Sequence, residues 1–334
     1  MINLRFIHQS TLALLTLCAG AIAMPAQAQM IGSDDMSFVE EPVAIDLGAG
    51  ITADVSGFVD QSAEFDFEND RDFYNTRANG LVRAQTQLPI NWNVIAQYFA
   101  SYDRLEDEEY TDEIAVSISD EWGTISGGNV TRAVFEEVRR HPGVGNADIQ
   151  LDDFYGGLDE LGAFYSVRHN AHTFAIAADK EGRAEASLAF SRPVGQSIYW
   201  AGIRARKGNL SEDHDEDGLF ATDGDTYGAT LVGSYVHTSW LIDAQIAYEN
   251  IDEEDGEEMD RIFGSIGARY KTGALTLSAE GHLGDMDGLS EESSALGARY
   301  DLARGLSLNG GYNYTDIEDT PEDHTATVSV RYEY

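Results

Sequence analysis

The chain ends on Thr325-Ala326-Thr327-Val328-Ser329-Val330-Arg331-Tyr332-Glu333-Tyr334, and this stretch decides the fold. In an extended chain Ala326, Val328, Val330, Tyr332 and Tyr334 share one face, while Thr325, Thr327, Ser329, Arg331 and Glu333 share the other. One side is apolar and the other charged rather than merely polar, which suits a sheet separating hydrocarbon from water. The expected element is a wall strand of a membrane β-barrel.

The same period of two recurs upstream. In 51–66, Val55, Val59, Ala63 and Phe65 oppose Asp54, Ser56, Asp60, Ser62 and Glu64. In 72–88, Asn75, Arg77, Asn79, Arg83, Gln85 and Gln87 oppose Ala78, Gly80, Val82, Ala84 and Leu88. Continued along the chain, the pattern gives sixteen strands, an even count as bacterial barrels have. The connections alternate in kind. Short turns such as Pro89-Ile90-Asn91, His169-Asn170-Ala171 and Thr272-Gly273 take turns with longer, acidic stretches at 104–109, 208–225, 252–258, 284–292 and 316–323. A soluble sandwich has no reason to sort its loops by parity, whereas a barrel with a turn rim and a loop rim does. Trp92, Tyr102, Trp240, Tyr248, Tyr312 and Tyr314, near strand ends, fit interfacial girdles.

At the other terminus, Arg5 precedes an apolar run over 12–23 and Ala26-Gln27-Ala28, the pattern of a secretory signal with an A-x-A cleavage site. This predicts a signal peptide at 1–28, a periplasmic lead-in at 29–49 and a barrel at 50–334. The single cysteine, Cys18, lies in the leader behind Leu17, where a lipoprotein signal has a small residue. The mature chain is therefore expected to carry neither disulfide nor lipid anchor. The formal net charge of −38 repels nucleic-acid backbones. A soluble, salt-adapted protein is the alternative that such acidity alone permits.

On these features the chain resembles the sixteen-stranded general porins of Gram-negative bacteria over essentially its whole mature length. The terminal aromatic, with apolar residues two and four places before it, resembles the assembly signal of outer-membrane barrels, with Tyr334 where Phe is commoner. Trp122-Gly123-Thr124-Ile125-Ser126-Gly127-Gly128 resembles the porin fifth strand, which opens into a long third loop. The resemblance implies that the 129–159 connection folds inward as a constriction, and that the protein is a homotrimer in outer-membrane lipid and lipopolysaccharide. It also implies passage of small hydrophilic solutes and ions. Glu136, Glu137, Asp148, Asp152 and Asp153 then supply acidic groups on the loop, opposed by Arg77, Arg83, Arg204 and Arg206 on the wall. Arg77 and Arg83 are favoured because the family places basic pore residues on early strands; the plain alternative is that each wall arginine pairs with a neighbouring carboxylate. A short helix over 131–140, with Thr131 as N-cap, is expected within the loop.

Acidic entrances favour cations, so cation selectivity is expected. Asp213-His214-Asp215-Glu216-Asp217-Gly218 begins like a calcium loop, with Asp213, Asp215 and Asp217 as ligands. The twelfth position is Gly224 and not Glu, and a solvated acidic loop explains the stretch equally. No other cofactor pattern appears, and no histidine comes with a recognisable catalytic partner; His282 with Glu280 reads as pore lining. The expectation is a channel and not an enzyme. A substrate-specific channel and a non-conducting surface barrel are the competing readings, although the inward Phe99, Phe164 and Phe263 are too scattered to form an aromatic stripe.

Overall fold

The computed structural model describes residues 43–67, 71–104, 109–131, 133–147, 149, 151–158, 161–210, 224–253, 258–318, 320 and 322–334. The leader at 1–28, Asp148, Asp213, Asp215 and Asp217 lie outside the described residues, as does the side chain of Glu136.

The expected strands form as β2 (Ile51–Asp66), β3 (Arg71–Gln87), β4 (Asn93–Asp103), β5 (Glu109–Asp120), β6 (Gly123–Asn129), β7 (Leu161–His169), β8 (His172–Asp179) and β9 (Ala184–Val194). The second half comprises β10 (Ser197–Leu210), β11 (Gly224–His237), β12 (Trp240–Glu253), β13 (Glu258–Thr272), β14 (Leu275–Met286), β15 (Leu289–Ala303), β16 (Leu306–Ile317) and β17 (Asp323–Glu333). Each pairs antiparallel with the next, and β17 pairs back onto β2, so these sixteen strands close a barrel. Closure pairs each of these strands on both sides and leaves no open sheet edge among them, as hydrocarbon demands.

An extra strand, β1 (Val43–Gly48), lies where only a lead-in was expected. It exists because β17 is too short for the seam. β17 pairs with β2 from Asp66 down to Phe58, and the Tyr334 and Gly57 backbones exchange two hydrogen bonds of 3.0 Å. That leaves residues 51–55 of β2 without β17, and β1 takes their edge, from Val43 opposite Val55 to Gly48 opposite Ile51. A six-residue strand is too short to show a period in sequence.

One rim carries tight turns, including Asn170-Ala171, Thr238-Ser239 and the turn at Gly273, as the parity predicts. On the other rim, the long acidic loop expected at 284–292 is instead the two-residue turn Asp287-Gly288, both at positive φ (51° and 91°). An Asp-Gly pair at positive φ is the tight hairpin connection that matches strand twist. The acidic residues around it belong to strands, and Glu291 points inward with no exposure.

Outward positions form an aliphatic belt, with Ile266 59% and Leu283 66% exposed. Aromatic pairs flank it at the turn rim, Trp240 on Tyr270 at 4.4 Å and Tyr199 on Tyr235 at 5.2 Å. Tyr248 and Tyr312 lie towards the opposite rim, at outward positions. A continuous apolar belt of this extent is far beyond what a monomer shows to water, and it fits a lipid-facing wall.

Candidate pore lumen and its inner loop

Inward positions are polar on nearly every strand: Ser56, Asp60 and Ser62 on β2, Asn75 and Asn79 on β3, Ser278 and Glu280 on β14. The 130–160 connection between β6 and β7 enters this lumen. Its two roots, with Val130, Ala133 and Val134 on one and Leu158 on the other, pack with Phe164, Ala175 and Ala177 on the inner wall of β7 and β8. The helix expected over 131–140 is only a 3-10 turn at Phe135–Glu137, preceded by Val134 with no side-chain cap. Branched Val130, Val134 and Val138 disfavour a helix, and the wall draws them apart. Val138 packs instead with Ala189, Val232 and Trp200 of β9, β11 and β10, which a more extended chain can reach.

From there the loop travels along the wall. The His141 N–H donates to Asp243 (2.8 Å) on β12 and the Val144 N–H to Ser278 (2.9 Å) on β14. The tip arrives at β17 and β3, where the Asn146 amide donates to Ser329 (2.9 Å) and accepts from Arg77 (2.9 Å). Glycines mark the route. Gly297 and Gly311 face each other across β15 and β16, and a Cβ on either would overlap the carbonyl of Val144 or of Gly145. Gly202 gives room to Val138, Gly228 to Phe154 and Gly208 to Gly156 in the same way.

The returning limb is held by charge. Arg204 binds Asp153 and lies 3.8 Å from Glu185; Arg206 binds the Tyr155 carbonyl and lies 3.5 Å from Glu249. Arg261 donates to the carbonyls of Leu151 (2.7 Å) and Asp153 (2.8 Å) and pairs with Glu291 (2.9 Å). Arg140 of the outgoing limb pairs with Asp152 (2.8 Å), Glu280 (2.8 Å) and Asp243 (3.2 Å). Rings brace the guanidinium groups: Phe135 and Phe154 at Arg204, Tyr155 and Phe263 at Arg261. Burial pushes the Asp152 carboxyl up, against the pull of Arg140. For Asp153 burial acts upward too, but Arg204 and Arg206 prevail and hold it below the ordinary range.

The structure thus brings Asp153 onto Arg204, with Arg206 beside them and Asp152 turned to Arg140, and the loop lies on the basic wall rather than facing it across a gap. Arg77 and Arg83 are elsewhere, on β3. Arg77 meets the loop tip, while Arg83 meets the Gln97 amide, whose oxygen, turned towards it, accepts from Nε at 2.9 Å and Nη2 at 3.2 Å. Glu137 faces a separate cavity near the turn rim. Sequence reasoning missed Arg261 and the glycine track, which an inward glycine in an otherwise polar alternation signals. It also missed Ser265 and Glu291 as partners of His282: Ser265 Oγ lies 3.0 Å from His282 Nδ1, and His282 Nε2 lies 3.4 Å from Glu291. Register explains this grouping, since Ser265 and His282 are direct cross-strand neighbours.

Neither a protein-family model nor a curated protein sequence matches the chain. Solved structures do. The anion-selective porin from Comamonas acidovorans superimposes with a TM-score of 0.67 at 12% identity, over 85% of this chain and 100% of that one. In-vitro folded OmpT, an outer membrane protein of Vibrio cholerae in its trimer form, gives 0.66 at 14%, over 85% and 100%. A mutant of the Rh. blastica porin gives 0.58 at 15%, over 84% and 100%. At such identities the likeness is one of fold: a closed sixteen-stranded barrel of the outer-membrane porin type, to which this chain adds β1.

Proposed function

We propose that this protein is an outer-membrane channel through which ions and small hydrophilic solutes diffuse passively, with a preference for cations and a homotrimeric assembly. The observation that carries the reading is the inner loop, laid along a polar lumen from β7 to β17 and fastened at each step. A loop so placed narrows the passage and lines it with fixed charge. The sign of that charge supports cations. In the ion pairs joining the loop to β9–β15, four guanidinium groups (Arg140, Arg204, Arg206, Arg261) meet seven carboxylates (Asp152, Asp153, Glu185, Asp243, Glu249, Glu280, Glu291). Arg269 adds a fifth cation beside Asp243 and Glu280, and the carboxylates still outnumber the cations.

The Ser265–His282–Glu291 line does not favour a hydrolase. The side chains of His282 and Glu291 have no exposure, and both Glu291 oxygens are taken by Arg261. The line braces the wall. Calcium binding through Asp213, Asp215 and Asp217 is proposed on sequence alone. Single-channel recording of refolded protein in a salt gradient, with and without calcium, tests the whole reading. Discrete steps with a cation-side reversal potential are expected, and a folded barrel that never conducts would overturn the channel.

A further inference from the structure

Near the turn rim, beneath the 3-10 turn of the loop, lies a cavity of about 490 Å³. That is the size of a small-ligand pocket. Glu137 reaches it from the loop, Arg168 from β7, Trp200 from β10, and Asp120 and Glu121 from the turn between β5 and β6. Hydroxyls of Thr124, Ser166, Thr173 and Ser191 fill the wall between them.

This cavity differs in one respect from the charged anchorage of the loop. Arg140, Arg204, Arg206 and Arg261 are all neutralised by carboxylates. Glu137 and Arg168, by contrast, make no side-chain hydrogen bond or close ion pair with any other described residue, although each acts on the other through the cavity: burial pushes the Glu137 carboxyl up and Arg168 draws it back. One unpaired cation and one unpaired anion facing a shared space ask for a ligand bearing both charges. The two further carboxylates and the indole add a preference for a second ammonium group. A bare metal ion is a poor fit, since among the described residues no three carboxylates or imidazoles converge to hold one.

We infer that the cavity is a binding station for basic amino acids, with the solute carboxylate on Arg168, its α-ammonium on Glu137, and its side-chain ammonium towards Asp120 and Glu121 past Trp200. The inference rests on the channel reading above, because the solute must enter the lumen.

The test is an equilibrium titration of the folded full-length protein in detergent micelles with L-lysine, followed by tryptophan emission and by calorimetry. Acetate, n-butylamine and glucose serve as partial or neutral counterparts. Lysine is expected to saturate and to bind more tightly than all three. Arg168→Gln and Glu137→Gln should each weaken it at least about tenfold, the loss of one charge-assisted hydrogen bond. Trp200→Phe should keep the heat and lose the change in emission. Absence of a saturable lysine response in the wild type, glucose binding more tightly than lysine, or an affinity indifferent to both charge substitutions would overturn the station. The wild-type comparison needs no variant to fold. A protein that binds lysine without conducting would defeat only the channel, and one that conducts without binding would defeat only the station.

Discussion

Arg140 shows how a single side chain fixes a loop inside a barrel. Its side chain is 2% exposed, and those of Asp243 and Glu280 are 0% and 2%. Replacing Arg140 with Leu removes the one cation hydrogen-bonded to Asp152, Asp243 and Glu280 together, and leaves Arg269 to act on Asp243 and Glu280 from farther off. Removing one partner from a buried ion pair costs about 3–5 kcal/mol. Arg140→Leu should therefore lower the urea midpoint of the folded barrel and make the open channel noisy. The pH dependence has a definite sign. Burial already raises the Asp152 carboxyl in the folded state, so that state holds a proton more readily than the unfolded chain does. This contribution to stability grows as pH falls through the raised value and is lost as pH rises. Without the pull of Arg140 the carboxyl rises further, so the deficit of Arg140→Leu should shrink from about pH 7 to about pH 5. Urea midpoints at the two pH values decide it, and a deficit that widens on acidification would clear the carboxylates of blame.

At the scale of elements, the alternation made β2–β17 legible because each such strand has one face in lipid and one in the lumen. β1 was hidden because six residues carry no period, and the Asp287-Gly288 turn because its acidic neighbours resemble a loop. The inner loop was legible as a long connection after Gly128, but its route was not. That route is written in wall glycines, and contacts such as those of Arg140 with Glu280 or Val144 with Ser278 join residues more than a hundred positions apart. Gly297 offers a direct trial of the route. Its φ is not positive, and valine is a good strand residue, so Gly297→Val suits β15 itself. Its Cβ would nevertheless occupy the space of the Val144 carbonyl. The barrel should fold, the loop tip should lift from β15 and β16, and single-channel conductance should rise. Unchanged conductance in a folded Gly297→Val protein would mean that the tip does not set the width of the passage.

At the scale of the whole molecule, the question is which charges an ion in transit meets. Arg204, Arg206 and Arg261 are spent on holding the loop, and their carboxylate partners outnumber them. Arg77 and Arg83 stand apart on β3. Their hydrogen bonds go to the amide oxygens of Asn146 and Gln97, and among the described residues neither lies within ion-pair distance of a carboxylate. An amide oxygen satisfies a guanidinium donor without cancelling its charge. Glu64 acts on Arg77 and Asp54 on Arg83 only from beyond ion-pair distance, so these two arginines, like Arg168, still put positive charge into the lumen, and they oppose the proposed cation preference. Replacing both with Gln keeps hydrogen-bonding capacity at each position and removes two positive charges from one side of the passage. The reversal potential in a potassium chloride gradient should then move further towards that of an ideal cation channel, and the shift should diminish at high ionic strength, where screening shortens the reach of the remaining carboxylates. A reversal potential that stays at the wild-type value would place Arg77 and Arg83 outside the ion path and leave selectivity to the acidic outer loops.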